Sequence, residues 1–100
     1  MYCILYRFEV REGMETPFVR NWETVTRMLL NAGSLGSRLH RKEGSTYIAY
    51  AQWPSREQYH QERSLDDTFR EARAHMVDCC TAIETLAELE PVSDLLVHIS

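Results

Sequence analysis

The spacing of apolar residues changes twice along the chain. Tyr2, Ile4, Tyr6, Phe8 and Val10 alternate with Cys3, Leu5, Arg7 and Glu9, the two-residue period of a strand. After the turn Arg11–Gly13, Phe18, Trp22, Val25 and Leu29 recur at spacings of four, three and four, one stripe of an amphipathic helix. Thr16-Pro17 offers an N-cap followed by proline at the first helical position. Gly33, after Asn31-Ala32, suits a left-handed C-terminal cap. A second strand is predicted from about Leu35 to Arg41, and the turn "KEGS" joins it to a third, Thr46–Trp53.

Pro54 stops that strand, and Ser55-Arg-Glu-Gln58 resembles a capping box for a short helix reaching about Glu62. Ser64-Leu-Asp-Asp67 opens another helix, with Phe69, Ala72, Met76, Cys80 and Ile83 on its inward face. The run "AIETLAELEPVSD" reads equally as continued helix or as loop, and Leu95–Ile99 is the predicted last strand. The order β, α, β, β, α in two pieces, β is the split βαβ, or ferredoxin-like, α+β arrangement. It predicts one domain over residues 1–100, a four-stranded antiparallel sheet with helices on one face.

One feature of the pattern reaches beyond the single chain. In "TYIAYAQW" one face carries Tyr47, Ala49, Ala51 and Trp53 and the other carries Ile48, Tyr50 and Gln52, so neither face is cleanly polar. The first and last strands are also apolar on both faces. Helices cover one face only, and the other would leave a large apolar patch in water. The economical expectation is a homodimer in which two sheets pack face to face as an α+β barrel.

Composition narrows the chemistry. The formal charge of −4, with eleven Lys and Arg mostly scattered among 100 residues, argues against nucleic acid as a partner. The basic cluster Arg38–Lys42 reads as a solvated hairpin rim. The start "MYCILYRFEV" is too short for a membrane span and lacks a signal-peptide n-region. Three cysteines in no metal or disulfide pattern point to reduced thiols and a cytoplasmic setting, with Cys79-Cys80 packing a helix end. No cluster has metal-ligand spacing, and the four glycines form no phosphate-cradling loop. Neither metal nor cofactor is expected.

Three segments, "FEVREGMETPFVRNWE", "GSLGSRLHR" and "YIAYAQWPSREQY", resemble in order and spacing the antibiotic-biosynthesis-monooxygenase family. The resemblance spans about residues 2–80 and implies a dimeric α+β barrel. It also implies one of several activities: cofactor-free oxygenation of phenols or quinols, haem degradation, or none. The haem-degrading branch is implied to need an Asn on the first strand, a Trp on the helical segment and a His after a "FKEA" run. Those places hold Tyr6, a residue near Arg63, and Arg73 after Phe69–Ala72, so haem degradation is disfavoured.

Cofactor-free oxygenation asks for an aromatic-lined pocket that takes a proton, stabilises an anion and excludes water. His75 is the candidate base, because its ordinary pKa near ~6.5 suits a neutral-pH proton acceptor. It sits about 60° from the centre of its helix's apolar face, where a half-buried structural histidine is the plainer reading. Arg38 and His40, on one face of the second strand, are candidate anion stabilisers or simply polar residues of a dimer interface. Tyr6, Tyr50 and Trp53 are candidate substrate-binding walls, while Trp22 reads as core and Arg73 as a solvent-facing cation. The function expected is a cofactor-independent monooxygenase acting on a small aromatic phenol or quinol. The alternative is a non-catalytic dimeric ligand-binding or scaffold domain of the same fold.

Overall fold

A computed structural model describes residues 1–61, 63 and 65–97. The elements run β1 (Tyr2–Val10), α1 (Glu15–Asn31), β2 (Gly36–Arg41), β3 (Thr46–Trp53), α2 (Arg56–His60), α3 (Asp67–Asp78) and β4 (Cys80–Leu89). The four strands form one antiparallel sheet in the order β2-β3-β1-β4, the ferredoxin-like arrangement.

The two faces of the sheet separate cleanly. Tyr2, Ile4, Phe8 and Val10 of β1 and Tyr47, Ala49, Ala51 and Trp53 of β3 are buried on the face that meets α1 and α3. Phe18 of α1 is fully buried, with its ring 5.1 Å from Phe8 and 5.2 Å from Tyr47 between centroids. These three aromatics anchor the helix to the centre of the sheet. Val25 of α1 and Ala72, Met76, Cys79 and Cys80 around the end of α3 complete the core. All three cysteines are free and buried. Burial pushes the Cys80 thiol up to about 11 and also raises Cys79, so both stay protonated and act as small packing groups.

Helix ends follow the local chemistry. Ser55 Oγ accepts from the Gln58 amide at 3.1 Å, the N-cap half of the expected box. At the end of α1 the Ser34 amide reaches back to the Leu29 carbonyl and the Gly33 amide to Leu30, a Schellman motif made possible by φ +109° at Gly33. Helix α1 begins at Glu15 rather than after Thr16. Pro17 still falls in the first turn, where its missing N–H costs nothing. Helix α3 is capped by Asp66, whose Oδ1 accepts from the Phe69 amide at 3.0 Å.

The last strand departs from the sequence reading. Helix α3 stops at Asp78, and Cys80–Leu89 is strand β4, paired along nearly the whole of β1. Ala, Leu and Glu dominate this segment and favour helix in isolation, but pairing with β1 supplies a ladder that outweighs the local preference. Leu95, Leu96 and Val97, expected to begin the last strand, are exposed and outside any strand. Residues 98 and 99 of that expected strand lie outside the described residues.

The helix-free face presents Leu5, Ile48 and Tyr50, crossed by the ion pairs of Arg7 with Glu9 and Glu84. Cys3 Sγ lies 3.0 Å from the Tyr50 hydroxyl, which also accepts from Gln52 Nε2 at 3.2 Å. On β4, Leu89 is exposed on this face opposite Cys3, whereas exposed Ile83 pairs with Phe8 and belongs to the helix-bearing side.

Candidate functional site

A cavity of about 380 Å³ opens between the helix-bearing face of the sheet and the helices, within the ~300–1,000 Å³ range of small-molecule sites. Tyr6 and Phe8 of β1 and Trp53 of β3 form its floor. Trp22 and Leu29 of α1 form one wall, and Phe69 and Met76 of α3 another. Tyr59, Arg63 and Leu65, on and just after α2, close one side. Trp22 and Leu29 belong to the stripe that also buries Phe18 and Val25. Phe18 and Val25 are buried in the core, and Trp22 and Leu29 pack against it half-buried at the cavity.

The polar groups of the cavity are few and definite. Tyr6 and Tyr59 hydroxyls meet at 2.9 Å. Burial first, and the Tyr59 hydrogen bond second, push the Tyr6 phenol well above the ordinary tyrosine range, so it remains protonated at neutral pH. One hydroxyl donates to the other, and the accepting one keeps its own proton to offer a guest. The Arg63 guanidinium lies 4.1 Å from the Trp53 ring centroid, a cation–π contact. Its Nη2 donates to the carbonyls of Gln58 and Tyr59 at 2.7 and 2.9 Å. Arg73 lines the cavity from α3 and is exposed. Ser34, Ser37 and Thr26 add hydroxyls at the α1–β2 side.

A second set of bonds ties α2 to the far edge of the sheet. Glu88 of β4 accepts from the Tyr2 hydroxyl at 2.6 Å, and its Oε1 lies 2.9 Å from His60 Nε2. The Tyr59 and His60 rings stand edge to face at 4.8 Å. Among the described residues no group of His, Cys, Asp and Glu could hold a metal ion, and no helix is long and apolar enough to cross a membrane.

This architecture is shared with known structures. SnoaB from Streptomyces nogalater, a cofactor-independent oxygenase, superposes with a TM-score of 0.74 at 16% identity, covering 94% of this chain and 95% of that one. A protein from Bordetella bronchiseptica, provisionally named an antibiotic biosynthesis monooxygenase, gives 0.76 at 18% identity over 92% and 97% of the two chains. One from Chloroflexus aurantiacus, named in the same provisional way, gives 0.77 at 16% identity over 97% and 98%. The chain has the antibiotic-biosynthesis-monooxygenase fold. No family model matches the sequence, and no curated protein matches it.

Within the monooxygenase fold, the residues singled out from sequence fall into two groups. Tyr6 and Trp53 line the cavity. Arg38, His40 and Tyr50 do not: Arg38 pairs with Tyr50 and His40 with Ile48, on the face opposite the helices. His75 is exposed and does not line the cavity. The reason is helical phase. Phe69, Arg73, Met76 and Val77 form the cavity-facing stripe of α3, so the margin that faces the space is the one bearing Arg73. His75 occupies the other margin.

Tyr59 and Arg63 escaped the sequence reading. A five-residue helix has no stripe to read, and Arg63 lies between elements. The one available signal was the Ser55 cap, which fixes the phase of the turn that carries Tyr59.

Proposed function

We propose that the protein binds a small planar phenol or quinol in this cavity and oxygenates it without metal or flavin. The observation that carries the reading is the hydroxyl pair Tyr6–Tyr59 set into an aromatic-walled space of about 380 Å³, on the fold shared with SnoaB, a cofactor-independent oxygenase. A scaffold domain that had lost its chemistry would be expected to fill this space with side chains.

The chemistry asks little of the protein. A phenolate gives one electron to dioxygen, and the resulting radical and superoxide combine at the ring carbon para to the oxygen. The hydroperoxide then loses water to leave a quinone. One phenol and one dioxygen thus yield one quinone and one water, and the substrate supplies all four electrons. Tyr6 stays protonated, so the Tyr6–Tyr59 pair serves as a hydrogen-bond donor to the phenolate oxygen rather than as the base. Among the described residues no histidine or carboxylate lines the cavity. The proton therefore leaves to water, eased by the positive field of Arg63 and Arg73. In this reading Tyr6 and Trp53 bind substrate, and His75, Arg38 and His40 take no part in the chemistry.

The same proposal includes a homodimer closed through the helix-free sheet face, with Arg38, His40 and Tyr50 near the interface. Leu5 and Ile48 on that face, together with exposed Leu89 of β4 opposite Cys3, support it. An oxygen electrode with naphthol as substrate and chelator-treated protein provides the test. Oxygen loss matched one to one by naphthoquinone absorbance is the expected result. Absence of uptake across a panel of phenols and quinols would favour the binding-domain alternative.

A further inference from the structure

Arg63 and Arg73 are the only charged side chains among the described residues lining the cavity, and the remaining lining is aromatic, aliphatic or hydroxylic. This concentration of positive charge occurs in a chain whose formal charge is −4, so it does not follow from composition. The two arginines come from different segments, Arg63 from the stretch after α2 and Arg73 from α3.

Arg63 is held in place by its two carbonyl contacts and by the Trp53 ring. Both carbonyls are reached through the same Nη2, which leaves the other guanidinium nitrogens to a guest. Neither arginine forms an ion pair with a carboxylate among the described residues. Glu88, on neighbouring β4, is already engaged by Tyr2 and His60.

We propose that the cavity's ligand is an aromatic acid: a planar ring system carrying a carboxylate that pairs with Arg73 and Arg63 while its ring hydroxyl meets the Tyr6–Tyr59 pair. The inference deepens the proposed function by naming the class of substrate and rests on the same cavity. A guanidinium fork binds a carboxylate through parallel, charge-assisted bonds that an uncharged amide cannot reproduce. The aromatic walls accept the ring, so the charge selects among flat guests that would otherwise bind alike.

The test compares a hydroxynaphthoate with the hydroxynaphthamide of the same ring pattern, read by quenching of Trp22 and Trp53, both of which line the cavity. The acid is expected to bind at least about tenfold tighter than the amide, and added salt should narrow the gap. Arg73→Gln should reduce the preference for the acid by about threefold or more, leaving what Arg63 alone supplies, and Arg73→Lys should lose less of it. Because Arg73 is exposed, these variants leave the fold intact. Arg63→Gln also removes contacts that hold the chain after α2, so it serves as a secondary check.

Equal binding of acid and amide, binding of neither, or a preference left unchanged by Arg73→Gln would overturn the inference. A protein that consumes oxygen with naphthol yet binds acid and amide alike loses this inference and keeps the proposed reaction. One that prefers the acid and never consumes oxygen keeps the inference and loses the reaction.

Discussion

The Tyr6 and Tyr59 hydroxyls meet at 2.9 Å, and the contact joins the central strand β1 to the short helix α2 across 53 residues of sequence. Tyr6 comes from a rigid element paired on both sides. Tyr59 comes from a five-residue helix tied to the sheet by its ring contacts with Tyr2 and Trp53, by the His60–Glu88 contact and by the Arg63–Trp53 stack nearby. The position of the cavity's hydrogen-bond donor therefore depends on how α2 is held.

Removing either hydroxyl should separate chemistry from stability. Tyr6→Phe and Tyr59→Phe are each expected to lower oxygen uptake by about 10²-fold, the range for losing one donor to a developing anion. Each should cost only about 1 kcal/mol of folding stability, as one partly buried neutral hydrogen bond is removed. Turnover and urea midpoints measured on the same preparations check both parts. Unchanged turnover in both variants would remove the pair from the mechanism.

His75→Ala is expected to leave turnover and stability within experimental scatter, because His75 is exposed and outside the cavity lining. A drop of about 10² or more, the usual contribution of a general base, would restore the role its residue type suggested.

The contrast between Tyr6 and His75 marks what was legible in the sequence. The strand β1 has a strict two-residue period, so Tyr6 could be assigned to the face of Ile4 and Phe8 without knowing the fold. His75 sits on a helix with two margins, and only the packed structure shows which margin opens onto the space. Cys80–Leu89 was illegible for a different reason: its helix-favouring residues become a strand because β1 offers a free edge, a long-range fact that no local window contains. Arg63 was seen only as a departure from a haem-degrading pattern, since nothing local announces that a residue between two short helices will stack on Trp53.

The helix-free face predicts assembly. Two chains joined through Leu5, Ile48 and their surroundings should bury well above roughly 1,000 Å², with residues near the twofold meeting their own copies. Sedimentation at micromolar concentration should give a dimer, and Ile48→Asp should shift it toward monomer by placing an unpaired carboxylate in the interface. A wild-type protein that sediments only as monomer would sink the barrel.

The packing of α1 should be the most sensitive part of the core. Phe18 is fully buried against Phe8 and Tyr47, and Phe18→Ala removes the ring that both of them pack on. The expected loss is about 3–5 kcal/mol, enough to unfold much of a marginally stable domain. Val25→Ala, on the same helix but smaller, should cost less, and chemical denaturation of the two variants gives the order.

Glu88 gives the fold an acid-side dependence whose sign can be stated. The Tyr2 hydroxyl first, and His60 second, hold its carboxyl below the ordinary value of 4.5. A folded-state pKa lower than the unfolded one stabilises the fold above the unfolded value and is lost as pH falls through the folded one. Wild type should therefore be more stable than Glu88→Gln near neutrality, and the difference should shrink as pH is lowered from about 5 toward about 3. Because His60 adjoins Tyr59 on α2, the same substitution should also loosen the Tyr6–Tyr59 contact and reduce turnover at neutral pH. Thermal melts across that range, paired with oxygen uptake at neutral pH, test the two halves separately. A stability difference independent of pH would mean that the carboxylate's charge is not what holds α2 to β4.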